Sequence, residues 1–152
     1  MESFDFSKDF EISFEAKKEY HIVITDSKVV YPESGGKRYI EHTILGGLGQ
    51  KFRKRFYTDT EGGKRFYTRF LSSCGITKEE TANWRPENLD GKFLTVEFVL
   101  QSYCPEVYNA ATGEMEPGEE QHKFDLKSFR ACSATQDMRD ILIEMMNGES
   151  PF

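Results

Sequence analysis

Apolar and polar positions alternate along most of this chain, and that alternation is the first guide to its fold. Phe10, Ile12 and Phe14 are interleaved with Glu11, Ser13 and Glu15, the period of a half-buried strand. From Tyr20 to Tyr31 a longer run places Ile22 and Ile24 on one face, Val23 and Thr25 on the other. Pro32-Glu33-Ser34-Gly35-Gly36 is a turn, because Pro fixes φ and Gly accepts positive φ. Lys37–Leu45 resumes the strand pattern, so residues 20–45 read as a long hairpin. Gly46-Gly47-Leu48-Gly49 interrupts it before a third strand, Lys51–Thr58. The period then changes. Over Lys64–Cys74 Phe66 and Phe70 lie four apart, and Gly75 can end the helix this spacing predicts. Asp90-Gly91 leads into a strand over Lys92–Leu100, with Leu94, Val96, Phe98 and Leu100 on one face. Pro105–Glu120 reads as an acidic loop, His122–Arg130 as a last strand, and Thr135–Met146 as an amphipathic helix striped by Met138, Ile141, Leu142 and Met145.

Three strands, a helix, two strands and a final helix is the element order of an OB-fold. The expectation is a mainly β protein: a five-stranded barrel with a helix between strands three and four, followed by a C-terminal amphipathic helix. A small α+β sandwich is the alternative. Residues 1–19 form an N-terminal extension that can add a strand, 20–131 the barrel, 132–147 the C-terminal helix and 148–152 a short tail.

Composition narrows the class. The 152 residues suit one domain. Only 38% are hydrophobic, but 13 are Phe, so aromatic rings supply much of the core. No apolar run has the roughly 18 residues of a membrane span, and the first ten residues do not read as a signal peptide. Cys74, Cys104 and Cys132 cannot all pair and show no Cys-x-x-Cys spacing, as expected of packed thiols in a reducing cytosol. These features argue against a secreted, membrane or zinc-ribbon protein.

Charge is distributed unevenly. The formal net charge is −6, yet residues 51–70 carry 7 basic and 2 acidic side chains, whereas residues 71–152 carry 7 basic and 15 acidic. A basic island in an acidic chain suits a polyanion, and the acidic remainder repels nonspecific contact. The island centres on the third strand. Phe52, Lys54 and Phe56 point one way, Lys51, Arg53, Arg55 and Tyr57 the other. Three cations and a phenol in a row offer phosphate contacts and a stacking surface to a single strand of nucleic acid. The helix that follows adds Arg65. Lys37, Arg38 and Tyr39 open the second strand, Phe93 lies opposite the Leu94–Leu100 face, and Lys123 and Lys127 lie opposite Phe124 and Leu126. All eleven side chains are candidate DNA contacts.

Catalytic and cofactor signals are weak. His21, His42 and His122 fall on separate strands without metal-ligand spacing. Gly46-Gly47-Leu48-Gly49 lacks the Lys-Ser/Thr of a phosphate loop, and Ser72-Ser73-Cys74-Gly75 reads as a helix end. The chain is expected to be no enzyme and to need no metal or cofactor.

Two resemblances extend this reading. The ending Glu149-Ser150-Pro151-Phe152 resembles the acidic Pro-Phe tip of bacterial single-stranded-DNA-binding proteins, though with a single acid. That likeness implies that Glu149, Pro151 and Phe152 capture replication or recombination proteins, the ring entering an apolar pocket and the carboxylate meeting a cation. The body is similar to small phage replication-module proteins with OB-fold relatives. The likeness runs from Tyr20-His21-Ile22-Val23-Ile24 through Gly35-Gly36-Lys37 to Leu89-Asp90-Gly91-Lys92-Phe93 and the strand after it. It implies single-stranded-DNA binding during phage replication or recombination, in the cytoplasm of an infected bacterium. A homo-oligomer remains open, and the alternative is a noncatalytic adaptor or inhibitor of a host enzyme.

Overall fold

The computed structural model describes Ser3 and residues 13–148. The expected strand residues Phe10 and Ile12, and the tip residues Glu149, Pro151 and Phe152, lie outside the described residues. In chain order the elements are β1 (Glu19–Val30), β2 (Tyr39–Gly46), β3 (Lys51–Phe56), α1 (Glu61–Ser73), β4 (Phe93–Tyr103), β5 (Glu106–Asn109), β6 (Glu114–Pro117), β7 (Gln121–Ala131) and α2 (Gln136–Met146). Two short 3-10 turns, Glu79–Asn83 and Pro86–Leu89, connect α1 to β4. The protein is mainly β. Its principal sheet is antiparallel and five-stranded, in the order β3-β2-β1-β4-β7, and β5 and β6 form a separate two-stranded sheet.

That sheet is strongly curved. Four steps of about 4.8 Å would hold flat edge strands about 19 Å apart. Instead Lys54 Nζ of β3 donates to Asp125 Oδ1 of β7 at 2.8 Å, and the Phe52 and Phe124 rings lie 5.8 Å apart. The edges meet through side chains; among the described residues no backbone ladder joins β3 to β7.

The concave side is the main core. Ile22, Ile24, Ile44, Phe56, Leu94, Val96 and Phe98 are buried there, with Tyr67, Phe70 and Leu71 of α1 packed against them. Phe14 stacks on Phe98 at 4.5 Å, and Lys17 N donates to Phe98 O, so the segment before β1 closes one side of this core. Two irregularities tune the strands. Near Asp26 (φ 49°) the β1–β2 register shifts between Thr25 and Lys28, which aims Ser27 at the core. A bulge at Lys127 changes the phase of β7, so that Phe129 follows Phe124 and Leu126 into the interior and meets Phe66 and Phe70. Strict alternation would have placed Ser128 there.

Helix α1 begins at Thr60, whose Oγ1 accepts from Gly63 N at 3.0 Å, with Glu61 favourably placed in its first turn. Only glycine fits at 63, because a Cβ would strike the Tyr57 carbonyl. Helix α2 lies on the convex side. Thr135 caps it, and fully buried Leu142 packs on Val23 and Leu45, with Met138, Ile143, Met145 and Met146 around them. Neither helix is long and apolar enough to cross a membrane, among the described residues.

Two expectations change here. Pro105–Glu120 is not a loop: it folds into the β5–β6 hairpin, paired from Glu106↔Pro117 to Asn109↔Glu114. Cys104 is exposed rather than packed, whereas Cys74 and Cys132 are half-buried.

Candidate nucleic-acid interface

The convex face of β2 and β3 carries the basic cluster. Along β3, Lys51, Arg53 and Arg55 are exposed, whereas Phe52, Lys54 and Phe56 turn inward. Tyr57, just past the strand end, is also exposed. The alternation follows from the pleat: one face must bury Phe rings, so the other receives the cations. Pairing with β2 then fixes neighbours, setting Arg55 opposite Glu41, Arg53 opposite Thr43 and Lys51 opposite Leu45.

Aromatic and charged groups interlock at the upper end of this face. The Tyr39 and Tyr57 rings are 5.5 Å apart and tilted by 54°. The Arg55 guanidinium lies over Tyr39, 4.6 Å from the ring centre, and its Nε is 3.6 Å from Glu41 Oε2. Lys28 approaches the other Glu41 oxygen at 3.8 Å. Glu41 is only 6% exposed, so Lys28 and Arg55 supply the countercharge its burial requires. Arg55 is thus fixed on both sides, by a carboxylate and by an aromatic face.

The candidate cations fall into two groups. Lys37 pairs with Asp59 at 2.9 Å, which raises the ammonium pKa and lowers that of the carboxylate. Lys127 pairs with Glu97 at 2.9 Å, and Lys123 lies 3.9 Å from Asp125. Arg38, Lys51, Arg53 and Arg65 have no acidic partner within 4.0 Å among the described residues. Of these, Lys51 and Arg53 share the β3 face with Arg55 and Tyr57. Arg65 belongs to α1, and Lys123 and Lys127 to β7.

Phe93 requires a correction. It does point away from the concave core, but α2 covers it: the ring packs with Val23, Leu45 and Leu142, and the Arg139 guanidinium sits 5.2 Å from its centre. Arg139 is held there by the carbonyls of Ala134 and Cys132, both at 3.3 Å. Phe93 therefore anchors the helix and is not a stacking platform.

A buried polar chain runs beneath this sheet, unsignalled by any local pattern. His42, on the concave face of β2, is fully buried. Its Nε2 lies 2.8 Å from the Tyr67 hydroxyl, and its Nδ1 lies 2.6 Å from Ser27 Oγ. Trp84 Nε1 can only donate, and does so to the Tyr67 oxygen at 3.0 Å. Tyr67 then donates to Nε2, and neutral His42 carries its proton on Nδ1 and donates to Ser27, which satisfies every member. Burial pushes the His42 pKa down to about 4 and the Tyr67 pKa up to about 12, so both are neutral at pH 7. Burial also pushes the Cys74 thiol up to about 12, which leaves it without a nucleophilic thiolate at neutral pH.

No three His, Cys, Asp or Glu side chains gather as metal ligands among the described residues. Compared with known proteins, the chain matches no family model and no curated protein.

Proposed function

We propose that this chain binds single-stranded DNA through the convex face of β2 and β3, without catalysis. The observation that carries the reading is the row of exposed Lys51, Arg53, Arg55 and Tyr57, with the Tyr39 ring tilted against Tyr57. Lys51 and Arg53, without an acidic partner among the described residues, neutralise successive phosphates. Tyr57 and Tyr39 take bases on their faces. Glu41 repels phosphate, which confines the backbone to the Lys51–Arg53 side and leaves the bases toward the tyrosines.

The finer fold proposed is an OB-type barrel. The sheet order, with α1 following β3, is that of such a barrel opened between its third and last strands. Lys54–Asp125 and Phe52–Phe124 span that seam with side chains. In this reading the protein coats and protects strands during phage replication or recombination in the host cytoplasm, and Glu149, Pro151 and Phe152 recruit a partner enzyme. Titration of a labelled oligo(dT) at several salt concentrations tests it: binding that weakens linearly in log–log form with salt supports the reading, and no binding at low salt overturns it. The acidic β5–β6 hairpin favours a second reading, a protein-interaction adaptor, which requires no DNA binding.

A further inference from the structure

Beyond the Ala16–Phe98 bridge, β4 and β7 continue as a two-stranded arm. Their ladder runs from Phe98↔Leu126 to Tyr103↔Gln121, while the pairing of β1 with β4 stops at Glu19↔Glu97. Five further residues at about 3.4 Å each carry the arm roughly 17 Å outward. The β5–β6 hairpin forms its tip. Such a two-stranded ribbon is marginal by itself in water. Leu100, Tyr103, Val107, Tyr108 and Met115 are all about half exposed or more, and they make up most of the large exposed apolar side chains among the described residues.

The charge of the tip is equally one-sided. Residues 104–121 contain five glutamates and no cation. None of those glutamates lies within 4.0 Å of a cationic group among the described residues. One side of the hairpin is hollowed to about 620 Å³, lined by Val107, Tyr108, Pro117, Glu116 and Glu119 among others. Across the ladder Val107 and Glu116 share one face of the hairpin, and Tyr108 and Met115 the other; on the first face, an aliphatic wall beside carboxylates is the chemistry that receives a guanidinium or ammonium on its aliphatic stem.

We propose that this hairpin docks on the β2–β3 face of a second copy of the chain, with its hollow receiving the cations of β3. Charge complementarity selects the occupant: among the described residues Lys51 and Arg53 lack acidic partners, and Arg55 with Tyr39 and Tyr57 continues the same row. The hairpin's own β3 is out of reach, because Phe52 packs at the base of the arm, against Phe98 and Phe124, and the ladder leads away from it. A strand of nucleic acid is the wrong ligand for a tip bearing five carboxylates. The docking itself does not depend on the proposed DNA binding, but competition between hairpin and DNA for one face does.

Sedimentation velocity tests the docking with the whole chain and two variants, Arg53→Glu and Glu116→Lys/Glu119→Lys, at exposed positions outside the core. The unaltered protein should self-associate at low salt, about 50 mM, and come apart near 0.5 M, where the Debye length falls to a few ångströms. Each variant should associate roughly tenfold more weakly or worse, since like charges then face one another. An equimolar mixture of the two should regain association, because one retains the hairpin and the other the face. A monomer at all concentrations in low salt, or association unchanged in either variant, overturns the proposal. Oligo(dT) should release the assembled protein. If oligo(dT) fails to bind at all while the mixture still complements, the docking stands and the DNA reading falls; if the unaltered protein binds oligo(dT) but stays monomeric, the docking alone falls.

Discussion

Lys54 and Asp125 join the two open edges of the sheet by a 2.8 Å charged hydrogen bond, with only 15% and 19% of their side chains exposed. They lie 71 residues apart in sequence, on strands that share no backbone ladder. Lys54 Nζ also lies over the Phe56 and Phe66 rings, 5.9 and 5.6 Å from their centres, so its removal from water is compensated on two sides.

Asp125→Ala should therefore destabilise the fold by about 2 kcal/mol, less than the 3–5 kcal/mol of a fully buried pair because some solvent reaches this one. The penalty arises from leaving Lys54 half-buried without its acceptor. Lys54→Met combined with Asp125→Leu should recover most of the loss, as an apolar seam needs no countercharge. Urea unfolding of the three proteins measures this; a double variant no more stable than Asp125→Ala would show that the seam requires the charged bond itself.

Acid should loosen the protein through His42. Burial holds its pKa at about 4 in the folded state, below the ordinary 6.5. At pH 7 both states are neutral and the group contributes no pH dependence. As pH falls below about 6.5 the unfolded chain takes up the proton first, so stability drains away until about pH 4, where the folded protein also binds it. The sign is thus a loss on acidification, of order 3 kcal/mol in full. His42→Gln should flatten the pH dependence of the urea midpoint between pH 6.5 and 4.5 relative to the unaltered protein. Parallel curves for the two would remove His42 as the cause.

Much of this architecture was legible in local pattern. Strand alternation in 20–30, 39–46 and 51–56, the four-residue spacing of Phe66 and Phe70, and the α2 stripe all reflect which face must be dry, and that is a short-range property. The inward–outward split of Lys51–Tyr57 could be read for the same reason. Three features could not. The Lys127 bulge is one unpaired residue whose effect appears only against β4. Phe93 looked like an outward aromatic because nothing in its own strand says that α2 returns to cover it. The β5–β6 hairpin escaped because its strands are four residues long and rich in Glu, a residue depleted from strands.

Salt dependence should separate the cations that have no acidic partner among the described residues from the paired ones. Arg53→Ala should make the log–log salt slope of oligo(dT) binding shallower by about 0.7, and Lys51→Ala likewise. Lys127→Ala should change the slope much less, because Glu97 already neutralises that ammonium. Arg55→Ala should lose more affinity than Arg53→Ala, since it also leaves the Glu41 carboxylate facing the phosphates with Lys28 as its remaining partner. Equal slope changes for Arg53 and Lys127 would mean that DNA wraps onto β7, beyond the β2–β3 face.

Stacking should separate Tyr57 from all of these. Its ring is exposed and is oriented by Tyr39, which the Arg55 guanidinium covers. The contact with Tyr39 already orients the Tyr57 ring in the free protein, so little ordering entropy is lost when a base stacks on it. Tyr57→Ala should therefore cost about 1–3 kcal/mol of oligo(dT) affinity while the salt slope hardly moves, because stacking releases few ions. Tyr57→Phe should retain most of the affinity, since the ring and its contact with Tyr39 survive. Tyr39→Ala should weaken binding through two losses, one stacking surface and the support that keeps Arg55 in place. The measurement is fluorescence anisotropy at two salt concentrations for each variant. An affinity for Tyr57→Ala equal to that of the unaltered protein would assign this ring to the packing of Tyr39 alone and move the base-stacking surface elsewhere on the protein.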